Sequence, residues 1–308
     1  MRRIVSVSLG SSSRNKSATV EILGEQFRLE RIGTDGSVSS ACKLIAELDG
    51  KVDAIGLGGI DLYLVCGDRR WVIHDAARLA RSARTTPVVD GSGLKDTLER
   101  RAIQMLHEDG VLAAGRTPED VRVLVVAAVD RFGMAEAFSE LGYQCRFGDL
   151  VFALGMPLPV SSLGLIKIAA TAFLPLLARL PFRILYPTGS QQEQHCVRAA
   201  RHFAWADIIA GDFHFIRRNL PATGRPLEGK TVITNTTTEA DIELLRSRGL
   251  YRLITTTPRV EGRSFGTNVM EAALVALTGK PADEVTRDDY LRLLERINWR
   301  PEVEILSI

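Results

Sequence analysis

Apolar residues recur along the chain in two rhythms, and the rhythm changes a little over a third of the way along. The first stretch reads as strands. Residues 4–9 end in Gly10-Ser11-Ser12-Ser13, and the runs 19–23 and 26–32 flank Leu23-Gly24-Glu25-Gln26, a tight hairpin signal. Val38, Ala41, Cys42, Ile45 and Leu48 then fall at helical spacing and predict a helix over 38–48. A strand over 53–57 runs into Gly58-Gly59-Ile60-Asp61, and a helix over 74–83 follows. A strand over 87–89 leads through Asp90-Gly91-Ser92-Gly93-Leu94 to a helix over 95–107.

Residues 110–120 are rich in Gly, Pro and acids and form a joint. Beyond it the pattern alternates strand and helix. Strands are predicted over 121–128, 143–147, 182–186, 207–210, 230–234 and 252–256, with helices over 131–141, 193–205 and 239–248. The run 121–128 is continuously apolar, as a strand buried on both faces requires. Thr238 and Asp241 form a capping-box start, and Gly249 is a stop. Residues 162–180 read as a buried helix bent at Pro175, covered on most sides by sheet. Two last helices, 266–278 and 287–297, are expected to pack back across the domains.

The fold class that follows is α/β. A Rossmann-like, doubly wound, mostly parallel sheet forms the C-terminal domain (116–308), preceded by a smaller α/β domain (1–115) with an antiparallel start.

Composition narrows the function classes. The 308 residues carry a net charge of +2, with 25% charged and 45% hydrophobic residues, so there is no bulk electrostatic case for nucleic acid or an anionic membrane. Seven of the 39 basic residues are Lys, and the Arg pairs at 69–70, 100–101 and 217–218 are not interleaved with aromatics as a nucleic-acid groove would be. The four cysteines are widely spaced and read as reduced thiols. The uncharged run 150–166 holds Pro157 and Pro159 and falls short of a membrane span. The expectation is a cytoplasmic protein with a small acidic substrate and no metal, leaving room for a homo-oligomer.

Candidate chemistry lies where strands end, because ligands of open α/β sheets bind beyond the carboxyl ends of the strands. After 121–128 only Gly133 of a three-glycine dinucleotide turn is present. Asp149 stands where an acid would hold a ribose hydroxyl, and Arg146 where a 2′-phosphate would be met; Asp149 as a simple cap is the alternative. Thr188, Thr234, Asn235, Thr236 and Thr256 lie in three hydroxyl-rich strand ends that together suggest a polar pocket, with Arg259, Arg263 and Asn268 just beyond. In the first domain, Asp61, Asp90 and Lys95 sit on Gly-rich turns. Lys95 with Asp90 or Asp61 would make a proton-transfer pair, or else a salt bridge that fixes a turn.

Taken whole, the chain resembles bacterial proteins of the quinate 5-dehydrogenase type, related by name to the quinate/shikimate dehydrogenases. The resemblance is carried by Val-Ser-Val-Ser-Leu-Gly-Ser-Ser at 5–12, Gly-Leu-Gly-Gly-Ile-Asp-Leu-Tyr at 56–63 and Pro-Val-Val-Asp-Gly-Ser-Gly-Leu-Lys at 87–95. Thr-Asn-Thr-Thr-Thr at 234–238 and Arg-Ser-Phe-Gly-Thr-Asn at 263–268 add to it. It implies a substrate domain followed by an NAD or NADP domain, with C-terminal helices returning to the first. It also implies a Ser-x-Ser substrate loop, matched by Ser6-Val7-Ser8 or Ser11-Ser12-Ser13, and a Lys/Asp catalytic pair for which Lys95 is the candidate. The family's glycine-rich cofactor loop and its Asn-Val-Thr-x-Pro-x-Lys run are absent. Two other readings stand beside this one. An actin-like or ribonuclease-H-like phosphotransferase would open on three antiparallel strands and place Mg²⁺ on Asp61 or Asp90; a non-catalytic nucleotide or metabolite-binding protein would need no glycine loop.

Overall fold

The computed structural model describes residues 1–67, 69–152, 159–180, 200–257, 259–260 and 263–307, and it is a mixed α/β molecule built on two parallel-dominated sheets. The first sheet holds β1 (Arg2–Ser8), β2 (Lys16–Ile22), β3 (Glu25–Gly33), β4 (Ala54–Gly58) and β7 (Val88–Val89), in the order β2-β3-β1-β4-β7. Side chains alternate across it. Ile4 and Ala54 enter one core, and Val5, Val7, Ile55 and Leu57 the other.

The antiparallel start is confined to the β2–β3 hairpin, whose Leu23 and Gly24 both take positive φ, 53° and 80°. β1 runs parallel to β3 and lies between β3 and β4. β2 is therefore at the edge, and the three-stranded meander that the phosphotransferase reading relied on does not form. A second hairpin, β5 (Tyr63–Cys66) with β6 (Arg69–Val72), stands apart from both large sheets.

The second sheet is ordered β15-β12-β11-β10-β8-β9. It uses β8 (Arg122–Val125), β9 (Gln144–Phe147), β10 (Ile208–Ala210), β11 (Thr231–Thr234), β12 (Arg252–Thr255) and β15 (Glu302–Ile305), with a small hairpin, β13 (Arg259–Val260) and β14 (Arg263–Ser264), beside it in sequence. Among the described residues its five parallel strands follow the order 2-1-3-4-5 in chain sequence, and β15 adds an antiparallel edge. Val123, Val125, Ile208, Ile233 and Ile254 feed one face and Leu124, Ile209, Val232 and Leu253 the other, so both faces are covered. The strand expected at 182–186 and most of the helix at 193–205 lie outside the described residues.

The helices are α1 (Val38–Leu48), α2 (His74–Ala80), α3 (Ser92–Glu108), α4 (Phe132–Glu140), α5 (Asp149–Phe152), α6 (Leu163–Leu177), α7 (Ala200–Trp205), α8 (Phe213–Asn219), α9 (Glu239–Ser247), α10 (Thr267–Thr278) and α11 (Arg287–Arg296). α10 and α11 return to the first sheet: Met270, Ala273, Leu274, Tyr290 and Leu294 share a core with Ile4, Phe27 and Leu29.

α3 carries two apolar stripes. Leu94, Leu98 and Ala102 enter the first sheet's core, while Ile103 and Leu106 enter the second's. α6 departs from its expected burial. Only Ile166, Ala170 and Leu174, one stripe at i, i+4 and i+8, are buried, whereas Leu165, Ile168, Phe173 and Leu176 are 60–69% exposed. The helix leans on β5 and α4 instead of lying under the sheet. Among the described residues no helix is long and apolar enough to cross a membrane.

Candidate functional site

The start of α3 is fixed from two sides before any of its side chains can act. Asp90 accepts from Leu62 N (2.5 Å) and Tyr63 N (3.2 Å) with one oxygen, and from Ser92 N (3.0 Å) and Ser92 Oγ (2.7 Å) with the other. Both oxygens of Asp90 are thus spent on the turn. Glu271 of α10 accepts from Gly91 N (2.5 Å), Leu94 N (3.2 Å) and Tyr290 Oη (2.7 Å), a carboxyl at a helix N-terminus. Burial pushes the Glu271 carboxyl up to about 7, with the charge of Asp90 adding to it and the Tyr290 hydroxyl and the two N–H groups pulling it down. Gly91 has φ 97°, and a Cβ there would stand 2.9 Å from Asn268 N. The glycine turn expected to admit substrate backbone instead admits the protein's own α10.

Lys95 and Glu99 lie one helical turn apart on the α3 face turned to the second sheet. Lys95 Nζ is 2.8 Å from Asp130 Oδ1 and 4.0 Å from Asp61 Oδ1, with 16% of its side chain exposed. Burial alone would lower its pKa, but the two carboxylates outweigh that and raise it, so the ammonium stays charged. Glu99 meets the Arg131 guanidinium, which also reaches Asp130 Oδ2 (3.0 Å) and Asp212 Oδ2 (2.6 Å). Asp212 in turn accepts from Asn235 Nδ2 (2.9 Å). Burial drives Glu99 up to about 7 even though Arg131 and Lys95 pull it down, and its Oε2 is buried with no partner among the described residues.

These groups stand beyond the carboxyl ends of β4 (Asp61), β7 (Lys95), β8 (Asp130, Arg131), β10 (Asp212) and β11 (Asn235). β8 and β10 are adjacent strands whose connections leave in opposite directions, the switch point at which open α/β sheets hold their ligands. The cavity bordered by Asp61, Lys95, Glu99, Asp130 and Arg131 is about 30 Å³, room for little more than water. A recess of about 200 Å³ adjoins it, bordered by Arg69, Arg70, Ser92, Asp96 and Arg287.

The remaining expected residues do not converge on that cluster as a cofactor site. Gly133 lies inside α4, and a Cβ there would stand 2.5 Å from Asp96 O, so its glycine serves the close packing of α4 on α3. Asp149 accepts from Ala128 N (3.0 Å) and Val129 N (2.9 Å); its carboxylate caps the loop after β8. The Arg146 guanidinium stacks 3.8 Å from the centre of the Trp205 ring. Thr234 and Thr256 are fully buried, and Thr236 Oγ1 donates to Thr257 Oγ1 (3.0 Å). The strand ends at 234–236 and 255–257 are neighbours, as Thr256 N donates to Thr234 O (2.9 Å), but among the described members of the threonine-rich set only Asn235 joins the charged cluster. Asn268 Nδ2 donates to Ser6 Oγ (2.7 Å) and ties α10 to β1. Thr188 and the Arg259 and Arg263 side chains lie outside what is described. Among the described residues no three side chains group as metal ligands.

Sequence reasoning missed Asp130, Arg131, Glu99 and Asp212. The signals were present: Asp130-Arg131 follows the apolar strand directly, and Glu99 sits four residues after Lys95.

Residues 93–306 match the family model described as Domain of unknown function (DUF8754), and residues 3–90 match Domain of unknown function (DUF8753). No curated protein matches the chain. Among solved structures, an ABC transporter solute-binding protein from Burkholderia multivorans is 11% identical, with 99% of each chain covered and a TM-score of 0.40. A periplasmic solute-binding protein from Actinobacillus succinogenes with bound D-allose is 11% identical over 99% of this chain and 98% of that one, TM-score 0.38. An NAD-dependent malic enzyme from Thermotoga maritima is 12% identical over 96% and 84%, TM-score 0.35. Likeness at this level carries no functional argument.

Proposed function

The chain belongs to the family described as Domain of unknown function (DUF8754), and from the chemistry of its site we propose an enzyme of Rossmann-like, doubly wound architecture that acts on a small hydroxy or keto acid. Lys95 is the proton-transfer group. The observation that carries this is an ammonium held 2.8 Å from Asp130 and 4.0 Å from Asp61, beside the switch point of the second sheet. Where negative charge builds on a substrate oxygen, Lys95 Nζ gives it a proton and becomes the neutral amine, and in the reverse direction the amine takes that proton back. Asp130 and Asp61 keep the amine protonated and aimed until then. Arg69, Arg70 and Arg287 around the adjoining recess suit an acidic substrate.

NAD or NADP is the cofactor that the resemblance to quinate/shikimate dehydrogenases implies. The described residues do not fit its pyrophosphate. Asp149 already occupies the Ala128 and Val129 N–H groups, Gly133 is packed against Asp96, and Arg146 is stacked on Trp205. The proposal therefore rests on the proton step, and no step is routed through a nicotinamide.

A thermal-shift panel with NADH, NADPH, ATP–Mg²⁺, quinate and shikimate tests the reading, since a ligand at 100 times its dissociation constant adds about 2.7 kcal/mol. Stabilisation by the hydroxy acids supports it, and stabilisation by ATP–Mg²⁺ alone overturns it. With a turned-over substrate in hand, Lys95→Ala should lower kcat by roughly 10²–10⁴-fold without loss of folding. A variant that loses stability but keeps its specific activity would make Lys95 a brace between the two halves.

A second reading is a non-catalytic metabolite-binding protein, in which no substrate is turned over and Lys95 only braces the fold. It is favoured by one observation: all three arms of the Arg131 guanidinium are taken by the protein's own carboxylates.

A further inference from the structure

Glu99 shares the small cavity beside Lys95, and one of its two carboxyl oxygens is not engaged by the described residues. α3 sets Lys95 and Glu99 one turn apart on one face, and both border the cavity of about 30 Å³. Glu99 Oε1 meets the Arg131 guanidinium, while Oε2 is buried without a partner among the described residues. Leaving a buried carboxyl oxygen unpaired is unfavourable. A cavity this size holds a water when a few polar groups surround it, and Glu99, Lys95, Asp61 and Asp130 all stand at its border.

The charges around Glu99 decide where a proton can rest. From α3 come Lys95 and Asp96, from the turn after β8 Asp130 and Arg131, and from the turn after β4 Asp61. Asp96 is tied to Arg287. Burial would raise the Asp130 carboxyl, but Lys95 and Arg131 outweigh it and hold the group below the usual carboxylate range, so it has no proton to give near neutrality. At Glu99 burial wins over Arg131 and Lys95, and the carboxyl titrates near 7. A proton on Glu99 therefore runs downhill to a neutral Lys95 amine, whose own affinity for protons Asp130 and Asp61 raise against burial. Tyr63, Val65, Ser92 and Asp96 border both the cavity and the recess of about 200 Å³, which gives the cavity a side towards water.

We propose that Glu99 is the proton reservoir for Lys95, acting through a water in the cavity that both residues border. The inference rests on the reading of Lys95 as the proton-transfer group. When Lys95 has protonated a substrate oxygen, an N–H bond has broken, an O–H bond has formed and the amine holds a lone pair. That lone pair takes a proton from the water, and the water takes one from Glu99 Oε2. Lys95 is then an ammonium again and Glu99 a carboxylate. Glu99 regains its proton from bulk water by way of the recess once the product has left. One proton passes from solvent to substrate oxygen in each turnover, and the reverse reaction runs the same steps backwards. A substrate seated in the recess covers Lys95 from solvent, and the inner route through Glu99 stays open.

Exchange of the Lys95 ε-ammonium protons with water, read by heteronuclear NMR of the full chain, tests the relay with no substrate present. In wild type the rate should rise as Glu99 loses its proton through about pH 7. In Glu99→Gln it should fall by roughly 10²-fold, the lower end of what a positioned acid or base contributes. Arg131 keeps Asp130 and Asp212 in that variant, so the fold should survive, and a melting curve checks it. Glu99→Asp should restore part of the rate, with the midpoint of the profile moved to the titration of the shorter carboxyl; this variant carries the test alone if Glu99→Gln does not fold. A purely structural Glu99 would change the melting temperature and leave the exchange profile in place. An exchange rate indifferent to Glu99→Gln, or a midpoint that does not follow the carboxyl in Glu99→Asp, overturns the relay. With a turned-over substrate, kcat in the direction that protonates the substrate oxygen should fall above about pH 7 and lose that limb in Glu99→Gln. Loss of turnover in Lys95→Ala with an unaltered profile in Glu99→Gln overturns the relay and leaves Lys95 its role. Turnover kept in Lys95→Ala overturns the role of Lys95 and, with it, the relay's part in catalysis.

Discussion

Replacing Arg131 with Met removes a cation that faces Glu99, Asp130 and Asp212 together. Arg131 is 4% exposed and Glu99 2%, so the Glu99 carboxylate left behind gains little water, whereas Asp130 keeps Lys95. Breaking a buried ion pair from one side typically costs about 3–5 kcal/mol, because the orphaned charge stays buried. At roughly 2–4 °C per kcal/mol for a domain of this size, the melting temperature should fall by about 6–20 °C. The defect must also depend on pH. Glu99 already titrates near 7, and without Arg131 its pKa climbs further, so at pH 6 it is neutral and one of the orphaned charges disappears. Arg131→Met should therefore be less destabilised at pH 6 than at pH 8, and adding Glu99→Gln should recover part of the loss at pH 8 with little effect at pH 6. Denaturant melts of the four proteins at the two pH values give the coupling directly. Strict additivity at pH 8, or a loss below about 1 kcal/mol, would show that the cluster is solvated and that the burial reasoning is wrong.

Two further expectations follow from buried groups. Glu271 titrates near 7 in the fold and near 4.5 unfolded, so its contribution to stability is complete below about pH 4.5 and is lost as pH rises through 7, by about 3 kcal/mol. The stability of Glu271→Gln should accordingly fall less than that of wild type between pH 5 and 8, and parallel curves would refute the assignment. Gly133→Ala places a methyl against Asp96 O and should cost about 1–3 kcal/mol by overpacking, with binding of any nucleotide unaffected. A stable Gly133→Ala that loses nucleotide binding would return that glycine to a phosphate turn.

Much of the fold was legible because it rests on local rules. The hairpin at Leu23-Gly24, the helix over 38–48, the capping box at Thr238 and Asp241 and the glycine stop at 249 each depend on a few consecutive residues, and each is present. Pairing order is not local. Nothing between residues 4 and 32 says that β1 lies beside β3 in parallel, because that choice is made by the face Ile4, Val20 and Phe27 share with α10, more than 200 residues on. α6 misled for a related reason. An all-round apolar helix normally belongs in a core, yet burial is decided by which surfaces remain uncovered, and here only the Ile166–Ala170–Leu174 stripe meets one.

The site divides along the same line. Lys95 was legible because a strand, a Gly-rich turn and a helix start are all sequence features, and together they put an amine on the first turn of α3. Of its partners, Asp61 was named from the sequence and stands 4.0 Å away, whereas the nearer Asp130 was not. Asp90 is five residues away in the chain, but it sits on the turn itself, where free N–H groups claim both of its oxygens before a side chain one helical turn on can compete. Asp130 is 35 residues away and arrives only because Ile103 and Leu106 on one stripe of α3 pack on the second sheet, bringing the end of β8 against Lys95 and Glu99. The same packing brings Arg131 between Glu99 and Asp212. The apolar periodicity of α3 thus chooses the ionic partners, and a charge four residues from a candidate catalytic lysine deserves as much weight as one beside it on the turn.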